Sequence, residues 1–167
     1  MNKNEIKTHI KEHLFFKHFK ENEIDILEKC ASIKNFEEDD FLTTIREEAK
    51  VFYLITNGSV TLQLFSHEKG IIELEKLESE DLLGWSWLIA PYKWHFDAIA
   101  VEKTQAICFD AVAIKKEMEN NTEFGYKMYK IFTPIIIERI QAERKNLLDI
   151  YGSEVYEIYS REMVTFR

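Results

Sequence analysis

A chain of 167 residues with a formal net charge of −8 is long enough for one domain plus an added element, and needs no metal or disulfide staple to hold a core. The acidic balance opposes non-specific grip on nucleic acid, which needs basic footprints, and any anionic ligand would require local positive charge. The only cysteines, Cys30 and Cys108, stand in no metal or redox spacing, the polar start MNKNEIKTHIKEH offers no signal peptide, and no apolar run approaches a membrane span. Free thiols, a cytoplasmic location and no membrane contact are therefore expected.

Ile6, Ile10, Leu14 and Phe15 fall at helical spacing and predict a helix from Glu5 to about Phe19; Ile24, Leu27 and Ala31 predict a second short one. After Phe36 the period changes to two. VFYLITNGSVTLQLF carries two runs rich in β-branched and aromatic residues around Asn57-Gly58, the dipeptide suited to a type I′ hairpin turn, with Val60, Leu62 and Leu64 on one face. HEKG at 67–70 is the next turn. GIIELEKL follows, alternating at Ile72 and Leu74, and DAIAVE and TQAICFD predict two further strands. About eight short strands in this order suggest a sandwich or barrel.

Asp110 is placed to cap a helix running to about Asn120, and Thr122 to cap the next. That last segment, EFGYKMYKIFTPIIIERIQAERKNLLDIYG, carries Met128, Ile131, Ile135, Ile140, Leu147 and Leu148 among charged residues, and Pro134 is expected to kink it. Its apolar surface exceeds what one small barrel needs covered, which predicts a homodimer through this helix; packing back onto its own barrel is the alternative.

FYLITNGSVTL, LLGWSWL and AIAVEKTQAICFD, followed by a long C-terminal helix, resemble the cyclic nucleotide-binding domain family, the sensor of catabolite-activator-type regulators. The matching positions are Tyr53, Ile55, Gly58 and Val60 of the first hairpin motif, Gly84 at the start of the phosphate cassette, and Ala100, Glu102, Thr104 and Asp110. The resemblance implies a mainly β fold with flanking helices, a double-stranded β-helix (jelly roll) plus a long C-terminal helix. The sensor would occupy residues 1–121, the dimerisation helix 122–152 and a short tail 153–167. It also implies a cyclic nucleotide, cyclic AMP or cyclic GMP, as ligand, with no other cofactor.

The cassette departs from the family pattern. There a Gly-Glu pair opens a short helix, Glu binds the ribose, and an Arg followed by Ser or Thr neutralises the phosphate; here Trp85 follows Gly84, Trp94 stands at the Arg position and His95 at the Ser/Thr position. Lys93 could supply charge only from an irregular turn begun by Pro91, since strand alternation would aim it at the other face, and it lacks the bidentate fork of arginine. Losing a desolvated charge partner costs about 2–5 kcal/mol, or about 30-fold to several thousand-fold in affinity.

The candidate ligand residues are therefore Gly84, Trp85, Ser86, Trp87, Lys93, Trp94 and His95. The tryptophans could fill the volume a nucleotide takes elsewhere, line an aromatic pocket for another small ligand, or anchor a protein contact. Trp85 and Trp87 share a side if extended, whereas a turn would splay them.

Other constellations are weaker. His9 and His13 have the i, i+4 spacing of a metal pair on a helix, but no cysteine is near, only adjacent Glu12 and more distant His18 could complete a site, and the pair is expected on a solvated face. Ser86, His95 and Asp97 are the types of a hydrolase triad, crowded onto one short stretch. No His-x-His pair is present, although a cupin-type metalloenzyme remains the enzymatic alternative. The fifteen residues after Gly152 are too few and too weakly basic for a helix-turn-helix, so no DNA contact is expected. The expected function is a non-enzymatic regulatory sensor or adaptor that binds a small ligand and relays it through a dimerisation helix; a ligand-free protein-interaction module is the other alternative.

Overall fold

The computed structural model describes residues 2–151, so the tail expected over 153–167 lies outside the described residues. Helix α1 (Lys3–Glu12) opens with a reciprocal cap: Asn2 Oδ1 accepts from the Glu5 amide at 3.0 Å, and the Glu5 carboxylate accepts from the Asn2 amide at 2.8 Å. The helix ends at Glu12, short of the expected Phe19, because the chain turns at His13, whose ring is buried against the Glu80 carbonyl. Phe16 is thereby swung into the core and Leu14 left exposed. Helix α2 (Glu21–Lys29) likewise stops early. Ala31 begins strand β1 (Ala31–Phe36), an edge strand whose alternation is muted by the exposed Lys34 and Asn35.

The remaining strands are β2 (Phe41–Thr43), β3 (Val51–Asn57), β4 (Val60–Ser66), β5 (Gly70–Leu77), β6 (Leu82–Leu83), β7 (Asp97–Ala100) and β8 (Thr104–Asp110). They form two antiparallel sheets of four strands, in the orders β1-β8-β3-β6 and β2-β7-β4-β5. This is the expected jelly roll, mainly β with flanking helices.

Asn57-Gly58 does not close a hairpin. β3 pairs with β6 and β8, and β4 with β5 and β7, so the dipeptide turns a corner between the sheets. Gly58 takes φ +86° there, and a methyl group on it would meet Thr104 Oγ1 at 2.5 Å. The Thr104 hydroxyl is hydrogen-bonded to the Ser59 carbonyl at 3.1 Å, and the Ser59 hydroxyl donates to Glu102 at 2.8 Å. The motif residues Gly58, Glu102 and Thr104 thus hold a corner. The hairpin lies one strand later, where Ser66 pairs with Gly70 across the HEKG turn.

Alternation along β3 divides the interior in two. Tyr53 and Ile55 face Val60, Leu62 and Ala98 between the sheets, whereas Phe52 and Leu54 face outward to Ile10, Phe16, Ile114, Phe124, Met128 and Phe132 of the helical layer.

Helix α3 (Ala111–Asn120) is capped by Asp110, whose carboxylate accepts from the Ala113 amide at 3.0 Å. Helix α4 (Thr122–Tyr151) is capped by Asn121 instead of Thr122: Asn121 Oδ1 accepts from the Phe124 amide at 3.1 Å. It continues through Pro134. Its first half packs on its own fold through Phe124, Met128 and Phe132, and Lys127 donates to both oxygens of the buried Glu23 carboxylate at 2.6 and 2.9 Å. The side chains of Leu147 and Leu148 lie outside the described residues.

Candidate functional site

The site grows from the end of β6. Gly84 takes φ +100°, which turns the chain out of the sheet, and the Leu88 amide bonds the Trp85 carbonyl at 3.0 Å to close a turn. The segment then passes a cis Ala90–Pro91 bond and runs back beside residues 46–49, where the Ala49 amide bonds the Tyr92 carbonyl and the Trp94 amide the Glu47 carbonyl, both at 2.9 Å.

This turn splays the tryptophans. Trp85 is half-buried and stacks on His95, with ring centroids 4.6 Å apart, while the buried Ser86 hydroxyl shares a 3.0 Å hydrogen bond with His95 Nδ1. Trp87 is directed into the helical core instead, stacked on Phe52 at 5.3 Å and edge-on to Phe132 of α4 at 5.4 Å. Trp94 is buried against Gly84: a methyl group on Gly84 would lie 2.8 Å from the far edge of its indole. The seven sequence-predicted residues are therefore not one cluster. Gly84, Trp85, Ser86 and Trp94 line one cavity, with His95 held at its edge by Trp85 and Ser86, and Trp87 and Lys93 line another.

The first cavity has a volume of about 20 Å³, room for about one water, and is closed between the sheets and the cassette turn by Leu62, Leu83 and Phe96. Its remaining wall comes from α4. Arg139 lines it at 8% exposure and is paired with Glu75 on β5. Sequence reasoning missed this residue, although Phe124, Met128, Phe132 and Arg139 follow helical spacing and place the guanidinium on the buried stripe. Positive charge thus reaches the cavity from the helix, where the cassette carries Trp94 in its place.

Catalytic geometry is not assembled around Ser86. His95 is bonded to it through Nδ1, and Asp97, the third member of the weighed triad, accepts from the Ile45 amide at 2.7 Å. His67 sits in the β4–β5 turn against Phe65, at 5.6 Å between rings. Among the described residues, no group of three or more His, Cys, Asp or Glu is placed to hold a metal ion.

His13 is not on a solvated face. Burial, opposed by its neighbour Glu80, holds its ring below the ordinary histidine pKa, and its two nitrogens contact the Glu80 carbonyl at 2.9 Å and the Phe15 amide at 3.3 Å. Burial raises the pKa of both Cys30 and Cys108, which disfavours the reactive thiolate. No helix among the described residues is long and apolar enough to cross a membrane.

Comparison with known proteins adds to this geometry. The family model described as Cyclic nucleotide-binding domain matches residues 33–121. Among solved structures, a cyclic nucleotide-binding domain from Methylobacillus flagellatus KT is similar at 18% identity, with a TM-score of 0.66 over 89% of this chain and 82% of that one. The sensor domain of the transcriptional regulator DNR from Pseudomonas aeruginosa aligns at 16% identity and a TM-score of 0.68, covering 83% and 93% of the two chains. The regulatory domain of Toxoplasma gondii PKA, crystallised with cAMP, aligns at 18% identity and a TM-score of 0.64, over 77% of this chain and 49% of that one. No curated protein matches the chain.

Proposed function

The chain belongs to the cyclic nucleotide-binding domain family, and from that membership we propose that it is a regulatory module whose nucleotide-type pocket is held shut by its own side chains and whose opening is read by α4. Its work on this reading is binding and relay, with no catalytic step. One observation carries it: Arg139 of α4 lines the same cavity as Gly84, Ser86 and Trp94, and is paired with Glu75 of β5. A ligand needs a pocket of roughly 300 Å³ or more, far beyond the 20 Å³ present. On this reading, filling the site moves Trp94 off Gly84 and Arg139 off Glu75, and α4 responds to the second movement.

Arg139 also supplies the cation that the cassette lacks. Freed from Glu75, its guanidinium can take a cyclic phosphate in bidentate fashion, as Lys93 on the far side of the loop cannot. The exposed face of α4, with Tyr126, Tyr129, Ile137 and Ile140, then carries the change to a second copy of the chain. Two buried or half-buried free thiols suit a reducing cytoplasm.

Calorimetric titration with cyclic AMP and cyclic GMP, with hydrogen exchange along α4 followed in parallel, tests this reading. Binding is expected to saturate between about 0.1 and about 10 mM in the parent protein. It should tighten at least about fivefold in Glu75→Gln, the equivalent of ~1 kcal/mol for an ion pair whose carboxylate is partly exposed. Exchange at 131–140 should rise on binding. No saturation in either protein would overturn the sensor and leave the second reading, a ligand-free interaction module, which the filled cavity favours.

A further inference from the structure

On the opposite side of the cassette turn lies a second, larger cavity of about 450 Å³, within the range of small-molecule sites. It is bounded by the Pro91–Lys93 loop, by residues 48–50 and by the first turns of α3, and Trp87 forms part of its wall. We propose that this cavity binds a small phosphorylated organic anion, independently of the pocket that holds Arg139.

Charge is the first argument. Lys50, Lys93, Lys115 and Lys116 line the cavity against Glu48 and Glu119 alone, in a protein whose net charge is −8. Lys50 is paired with Glu48, and Lys115 Nζ lies 3.4 Å from the centroid of the Tyr92 ring. Lys93 and Lys116 form no ion pair with any described residue. Lys93 also faces Glu48, the partner of Lys50, so four lysines share two carboxylates and the concavity keeps an excess of positive charge that suits a phosphate accepting several hydrogen bonds.

The second argument is an unmet hydrogen bond. Trp87 is 2% exposed, and its indole Nε1 is buried without a partner. A buried N–H left unsatisfied costs about 1–3 kcal/mol, so a shift of this wall that let an acceptor oxygen of the anion reach it would favour binding. Tyr92 lines the cavity as well, with Lys115 held over its ring. Tyr92 also holds φ +59°, a strained conformation for an aromatic residue that the surrounding loop contacts maintain.

The loop is fixed as well as charged. Backbone hydrogen bonds from Ala49 to Tyr92, from Trp94 to Glu47 and from Ala111 to Lys50, each 2.9 Å, join three cavity walls. Because Trp87 packs edge-on against Phe132 of α4, occupation of this cavity bears on the same helix as the first pocket, two turns before Arg139.

The experiment uses inorganic pyrophosphate and adenosine 5′-monophosphate as probes and reads the three tryptophan indole N–H resonances in a ¹⁵N-labelled sample. A Trp87→Phe variant assigns the Trp87 signal. Both probes are expected to move that resonance saturably below about 1 mM while leaving the Trp85 signal in place. Lys93→Ala combined with Lys116→Ala should weaken binding about tenfold, whereas the remote pair Lys34→Ala with Lys103→Ala should not. Absence of a saturable shift up to about 10 mM would overturn the proposal. So would shifts confined to Trp85 and Trp94, which report the first pocket, or equal weakening in the two double variants.

Discussion

Gly84 answers two constraints at one atom: a φ of +100° that side-chain-bearing residues rarely adopt, and an indole edge where a Cβ would sit. Gly84→Ala is therefore expected to lower stability by about 1–3 kcal/mol, or about 2–12 °C in melting temperature for a chain of this size, measured by circular dichroism. An unchanged melting curve would mean that Trp94 is not packed there. His13 gives a pH dependence of known sign. In its neutral form Nε2–H donates to the Glu80 carbonyl while Nδ1 accepts from the Phe15 amide, so a second proton on the ring removes an acceptor that the fold uses. Its folded pKa lies below the ordinary 6.5, so the unfolded chain takes up the proton first. The contribution of His13 is thus complete above about pH 6.5 and lost as pH falls through the lowered folded value. Urea midpoints should fall on acidification from about pH 7 to about pH 5, and fall less steeply in His13→Gln; equal slopes would remove His13 from the account.

At the scale of elements, what could be read in advance was whatever one segment decides for itself. The Asp110 cap is a local contact between a carboxylate and an amide three residues on, and it is present. The β strands followed from alternation, which needs only a half-buried ribbon. Asn57-Gly58 misled because a dipeptide specifies local backbone angles and not the partner of each flanking strand; here Thr104 and Glu102, over forty residues away, fix the corner. The end of α1 was set by His13 reaching Glu80, another long-range contact without a local trace. In the site, Gly84 was legible because a turn residue declares itself, and the departure at Trp85 and Trp94 because the motif around it is local. That Lys93 and Trp87 share a different cavity, and that Arg139 closes the first, depended on how α4 and the cassette turn pack together. Only the helical spacing of Arg139 after Phe132 hinted at it.

For the whole molecule, the open question is what covers α4. Its buried stripe is taken up by the protein's own core, yet Tyr126 (67%), Tyr129 (49%), Ile137 (49%) and Ile140 (49%) are exposed on another face. With Thr133 between them, these positions step by three and four residues, which is the spacing of a seam between helices. A second copy of the same helix matches such a stripe by symmetry, since each residue meets an equivalent apolar neighbour across a two-fold axis. Electrostatics oppose it: two chains of −8 repel, and the repulsion weakens as added salt shortens the screening length to about 8 Å. The balance makes a specific prediction for light scattering. At about 100 μM and physiological salt the protein should have twice its 19.9 kDa mass, and it should dissociate on dilution more readily at low salt. Ile137→Glu with Ile140→Glu should give a monomer with an unaltered circular dichroism spectrum, because neither side chain belongs to the core described above. A monomeric parent at that concentration would break the relay at its last step, since movement of Arg139 and α4 would then have no second copy to act upon.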